Sequence, residues 1–156
     1  MKPVDLVRWE LEYSVDVIEI DAQHRELMNM VNDMIHHSTE SPAKTKAYLE
    51  KAIYTAGSSL AKHFDTEERI LNRTNYDKLV DHKKEHENLT SKVKAIFYEL
   101  GSNSQDIALY DLTVTLKEYF LSHILLYDKA AMEFFKAGSK VLAYSDFQSD
   151  FQAGII

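Results

Sequence analysis

Residues 81–86 read Asp-His-Lys-Lys-Glu-His (DHKKEH), within a stretch whose apolar residues recur every three or four positions. That recurrence is the period of an α-helix, and four residues span about 400° of helical rotation. His82 and His86 therefore lie one turn apart on one side, between Leu79 and Leu89 of the apolar seam. Imidazoles in such places are surface decoration, core groups with polar partners, or ligands of one metal. The rest of the chain decides which.

The punctuation predicts four helices. Asp21 is expected to cap a helix over about residues 22–37, and Ser41-Pro42 reads as an N-cap followed by proline at the first helical position. The second helix runs to about residue 72, where NRTNY breaks the pattern. The third starts near Asp77 and stops before Gly101, and Ser104 caps a fourth that does not pass Gly138. Short connectors make neighbours antiparallel. The expected fold is all-α: an up-down-up-down four-helix bundle in a domain 1–138, with an N-terminal arm and a C-terminal tail, 139–156. The arm offers Trp9, Val15, Val17, Ile18 and Ile20 for packing.

Each helix carries a seam: Leu27, Val31, Met34 and Ile35 in the first; Ile53, Gly57, Leu60, Phe64 and Leu71 in the second; Leu79, Leu89, Val93, Ile96 and Leu100 in the third; Leu109, Leu112, Leu116, Phe120 and Ile124 in the fourth. Gly57 is read as allowing close helix approach. Polar residues interrupt these seams. His24 joins the first; His63 and Glu67 continue the second; His82 and His86 sit in the third; His123 follows the fourth, with Asp128 beyond it. His24 and the third-helix pair are near helix starts, and the others are near helix ends. In an antiparallel bundle those heights coincide. Five of the seven histidines and two carboxylates thus converge on one interior point. A lone seam histidine is ordinarily a core residue with a backbone partner, but so many unpartnered polar groups together would cost several kcal/mol. A metal centre satisfies them at once. His36 and His37, at the far end of the first helix where cations suit the dipole, are not read as ligands.

Composition narrows the chemistry. The 156 residues suit one domain; 45% are hydrophobic and 28% charged, as in a soluble globular protein. A net charge of -7 without any basic block argues against nucleic acid. There is no apolar run of membrane-spanning length, and MKPVDLVRWELEYS lacks the apolar core of a secretory signal. The absence of cysteine removes disulfides, thiolate metal sites and thiol catalysis, and fits the cytoplasm. Five imidazoles, two carboxylates bridging two ions and one bridging oxide or hydroxide supply eleven contacts, one short of two octahedral ions. Iron suits such a set best, with manganese and other divalent ions behind it. The open position would take dioxygen, each ferrous ion lending it an electron. Leu27, Phe64, Tyr119, Phe120 and Ile124 are expected to line a dry, narrow ligand pocket.

The segments WELEYSVDVIEIDAQHREL, HFDTEER, HKKEH and HILLYDK, in this order, resemble the ligand segments of the hemerythrins, especially the bacteriohemerythrins, across roughly residues 9–136. The resemblance implies that His82, His86 and His123 hold a saturated iron, that His24 and His63 hold the iron with the open site, and that Glu67 and Asp128 bridge, Glu68 facing elsewhere. His123 and Asp128 are five apart, about 140° around an ideal helix, so a local widening such as a π-bulge is expected. The sequence departs from the family at Tyr119-Phe120, where many bacterial relatives have Trp-Leu. It departs again at Asp16, where SVG would be usual. Tyr119 could donate to a bound ligand, be oxidised, or simply point between helices.

The function expected is reversible dioxygen binding for storage, delivery or scavenging. Sensing of oxygen, nitric oxide or redox state is the alternative, as is diiron redox catalysis of a peroxidase or nitric oxide reductase type. Ferritin-like diiron oxidases use Glu-x-x-His pairs, which this chain lacks. The tail VLAYSDFQSDFQAGII repeats SDFQ and spaces Tyr144, Phe147 and Phe151 for a short helix or strap, or else for docking a protein partner.

Overall fold

The computed structural model describes residues 4–99 and 105–138. It is a four-helix bundle. Helix α1 is Ile18–His37, α2 is Pro42–Arg73 and α3 is Leu79–Glu99. The fourth helix is continuous but changes pitch: α4, Gln105–His123, runs through a π-helical turn, Ile124–Asp128, into α5, Lys129–Gly138. Contacts join α1 to α2, α2 to α3, α3 to α4 and α4 to α1, closing the ring of the bundle. The expected stop at Gly101, the cap at Ser104 and the tail 139–156 lie outside the described residues.

The ends of the helices follow local chemistry. Ser41 is extended, and Pro42 opens α2 at a position whose amide has no helical partner. Asp21 does not cap α1, which begins three residues earlier. Its carboxylate reaches back instead, accepting from the Val15 amide at 2.8 Å and the Ser14 hydroxyl at 2.6 Å. That ties the arm to the first turn of α1. Between these bonds Asp16 adopts φ 57°, the left-handed conformation that a glycine meets without cost. Aspartate is among the few other residues that tolerate it, and here Lys136 of α5 pairs with its carboxylate at 2.9 Å. Further out, Asn32 bonds both the amide and the carbonyl of Val7, at 2.7 and 2.8 Å, and Arg25 lies over the Trp9 ring. The arm is thereby fastened along the bundle.

The core is in two parts. The larger joins Leu27, Val31, Met34, Leu60, Leu89, Leu112 and their neighbours through the length of the bundle. The smaller joins Val15, Val17, Ile20, Ile70, Leu71, Ala131, Met132 and Phe135 at the end reached by α5. Along α2 the expected seam holds at Leu60, Phe64 and Leu71, but its first two positions are shifted by one residue. Ala52 and Ala56 are buried, whereas Gly57 is exposed and a Cβ there would meet nothing within 4 Å. No close helix approach rests on Gly57. Two small alanines carry too weak a hydrophobic signal to outweigh Ile53 in a reading of periodicity.

Candidate metal centre

All seven interrupting residues lie between the two apolar clusters, and all are buried: His24, His63, Glu67 and Asp128 are 0% exposed, and His82, His86 and His123 at most 3%. α1 supplies His24, α2 His63 and Glu67, α3 His82 and His86, and the fourth helix His123 and Asp128. The π turn makes the last pair possible. In an α-helix Asp128 would be rotated away from His123; hydrogen bonds reaching five residues, as from the Lys129 amide to the Ile124 carbonyl, bring the two together. His123 Nε2 and Asp128 Oδ1 are 2.9 Å apart.

The donors form two groups that share both carboxylates. One consists of His82, His86, His123, Glu67 and Asp128; the other of His24, His63, Glu67 and Asp128, and within each the ligand atoms lie within 4.8 Å of one another. Glu67 Oε2 is 3.2 Å from His86 Nε2, 3.4 Å from His82 Nε2 and 3.6 Å from His63 Nε2. Asp128 reaches His24 Nε2 through Oδ2 at 3.2 Å, while its Oδ1 faces His82 and His123. In the metal-free chain, burial and the neighbouring Asp128 push Glu67 upward, but His63, His82 and His86 outweigh them and hold it below its ordinary value. Burial likewise raises Asp128, and His123, His24 and His63 more than reverse this. Burial disfavours charge on His123, yet Asp128 beside it raises its pKa.

Among the described residues, ten buried nitrogen and oxygen atoms of these side chains have no partner in hydrogen-bonding geometry, close as some of them lie, among them both ring nitrogens of His24 and His123 and both oxygens of Asp128. Each orphaned group costs about 1–3 kcal/mol in a dry interior. A cation held among them removes that cost, and imidazole with carboxylate and no thiolate is a donor set that suits iron. The residues present therefore fit a metal.

The surroundings are apolar on the side of the larger core. Phe120 sets its edge against His24 and His63 at 5.7 and 6.3 Å, and Phe64 stacks on His86 at 4.0 Å. Leu27 and Ile124 are buried in the same cluster. Tyr119 also lies beside the donors, its ring parallel to that of His123 with centroids 6.4 Å apart. Its hydroxyl turns towards α3, donating to the Glu85 carboxylate and facing the Glu85 carbonyl, both at 3.2 Å, and Lys92 lies over its ring. A partner on the neighbouring helix satisfies the phenol where the apolar pocket cannot. Burial and the Glu85 charge push its pKa up to about 12.

Two residues unforeseen in the sequence touch the ligands from outside. Gln23 Oε1 accepts from His63 Nδ1 at 3.2 Å, its own amide held by Thr66 at 3.0 Å. Glu68 faces away from the shared donors, as expected, but is not idle: its Oε1 accepts from the outer nitrogen of His86, Nδ1, at 2.9 Å, and Lys83 lies 3.3 Å from its other oxygen. No spacing rule marks such residues. The only signal was that a ligating histidine needs a partner for its second nitrogen.

Fold and donor set together define a cation-binding helical bundle. A family model, the hemerythrin HHE cation-binding domain, matches residues 15–134, and the chain belongs to that family. Among curated proteins none matches the chain. Among the described residues no helix is long and apolar enough to cross a membrane.

Proposed function

We propose that this chain binds dioxygen reversibly at a pair of iron ions, as a cytoplasmic protein of the bacteriohemerythrin type, for storage, delivery or scavenging. The observation that carries the reading is the inequality of the two donor groups: both contain Glu67 and Asp128, but one has three imidazoles and the other two. His82, His86 and His123 would complete one ion, with a bridging oxide or hydroxide. His24 and His63 would leave the other with a position free for a small ligand, nitric oxide included. Two ferrous ions held there supply the two electrons that dioxygen binding takes up and release returns.

The chain's own residues favour binding over turnover. Phe120, against the two-imidazole group, keeps its free side apolar and narrow, which restrains water and protons. Tyr119 has its ring beside His123 of the three-imidazole group and its proton engaged by Glu85 on α3. Only two carboxylates stand among five imidazoles, so little anionic charge is present to stabilise highly oxidised iron.

The test is an anaerobic titration with two ferrous ions per chain, followed by admission and removal of oxygen while the visible spectrum is recorded. A coloured adduct that forms and disappears over several cycles is expected. Immediate, irreversible oxidation would instead assign redox catalysis, and saturation at a single ion would remove the paired centre.

A further inference from the structure

The outer nitrogens of the five imidazoles are not treated alike. Among the described residues those of His24, His82 and His123 have no hydrogen-bond partner. His63 Nδ1 faces a neutral amide oxygen, that of Gln23. His86 Nδ1 alone faces a carboxylate, Glu68 Oε1 at 2.9 Å. A carboxylate only accepts, so the proton sits on Nδ1 and Nε2 is left free to face the centre. Glu68 is also partly exposed, on the outer side of the ring, where it adds a negative charge close to one donor group and further from the other.

We infer that Glu68 is a positioning residue that acts through His86 to make the ion of the three-imidazole group the first to be oxidised. This rests on the paired-iron reading above. A hydrogen bond from Nδ1 to a carboxylate makes the imidazole a stronger donor at Nε2, and stronger donation favours ferric over ferrous iron. The amide of Gln23 orients His63 without adding charge. Beyond their unequal number of imidazoles, the two ions thus differ in potential through this outer residue, and one-electron oxidation by an external mediator would remove its electron from the ion bound to His86. Lys83 moderates the effect: its ammonium, 3.3 Å from Glu68 Oε2, draws on the same carboxylate.

The two residues give variants of opposite sign. Glu68→Gln keeps the shape and an acceptor oxygen but removes the charge; Lys83→Met removes the moderating cation from a side chain 45% exposed. Iron per chain is measured first on each protein. The midpoint of the first one-electron step is then followed with mediators under anaerobic conditions, and Mössbauer spectra of the half-oxidised protein identify which ion is ferric. Glu68→Gln should raise the midpoint, by about 59 mV for each tenfold loss of ferric over ferrous preference. Lys83→Met should lower it, and keeps the test open if the Gln variant folds poorly. An unmoved midpoint in Glu68→Gln with full iron content, or shifts of the same sign in both variants, would overturn the role of Glu68 while leaving the paired centre intact. Fewer than two irons in the unsubstituted protein would overturn both.

Discussion

Glu67 and Asp128 are buried side by side among five imidazoles, and this gives the chain different responses to pH without and with a metal. Both carboxyls lie below their ordinary values, so the stability they contribute is present above the unfolded values near 4 and is lost as pH falls through the folded ones. His123 is raised, so its contribution is full below about 6.5 and is lost as pH rises through its folded value. The metal-free chain should therefore be most stable between roughly pH 4.5 and 6.5. A bound ion reverses the upper limb, because ligating imidazoles must be neutral and affinity rises with pH. Melting curves at pH 6 and pH 8, with and without a divalent ion, should diverge; parallel curves would mean that the imidazoles do not carry the ion. At this scale six of the seven buried donors were legible because each broke or continued an apolar seam, and Asp128 through its match to a family segment. Glu68 and Gln23 were not, because they break none and act only across a gap between helices.

Among the elements, the π turn has the clearest consequence. It amounts to one residue more than an α-helix needs between His123 and Asp128, and Leu126, 68% exposed, is a residue it could spare. Deleting Leu126 leaves the two side chains four apart, about 40° around an α-helix, and keeps Ala131, Met132 and Phe135 facing inward. The variant should fold with an unbroken helix and retain metal; an unfolded product would show that α5 depends on the π geometry itself. The widening was legible only because two ligands five apart cannot share an α-helical face. The register of α2 was not, since alanines and an exposed glycine blur a seam. That error carries its own test. Gly57 is mid-helix with open space at its Cβ, so Gly57→Ala should stabilise by about 1 kcal/mol in urea denaturation. A loss of stability would restore the close approach first expected there.

Among the described residues the centre separates a core cluster of 18 buried residues from one of 8, and the smaller is the one that holds α5 and the end of the arm. A cluster of that size does little alone, so its persistence depends on what joins it to the rest. Covalently, that is α1, α2 and the π turn of the fourth helix, with Asp128 between the clusters; Lys136 with Asp16, and Lys129 with the Glu12 carbonyl at 3.0 Å, fasten α5 to the arm within the smaller one. Asp128 has the further property that its pairing is complete only around a cation. Without metal, amide hydrogen exchange should be fastest in α5 and residues 11–17 and slowest in α1 and α4 against the larger cluster. With metal, exchange in α5 should slow the most, because the ion ties Asp128 to ligands on three other helices. At a thousandfold excess over Kd each ion adds about 4 kcal/mol, and two should raise Tm on the order of 15–30 °C. A metal-induced slowing spread evenly over the chain would mean that both clusters already fold as one unit. A slowing concentrated in α5 would make the metal the joint between them, which is where a bundle interrupted by seven buried polar residues most needs one.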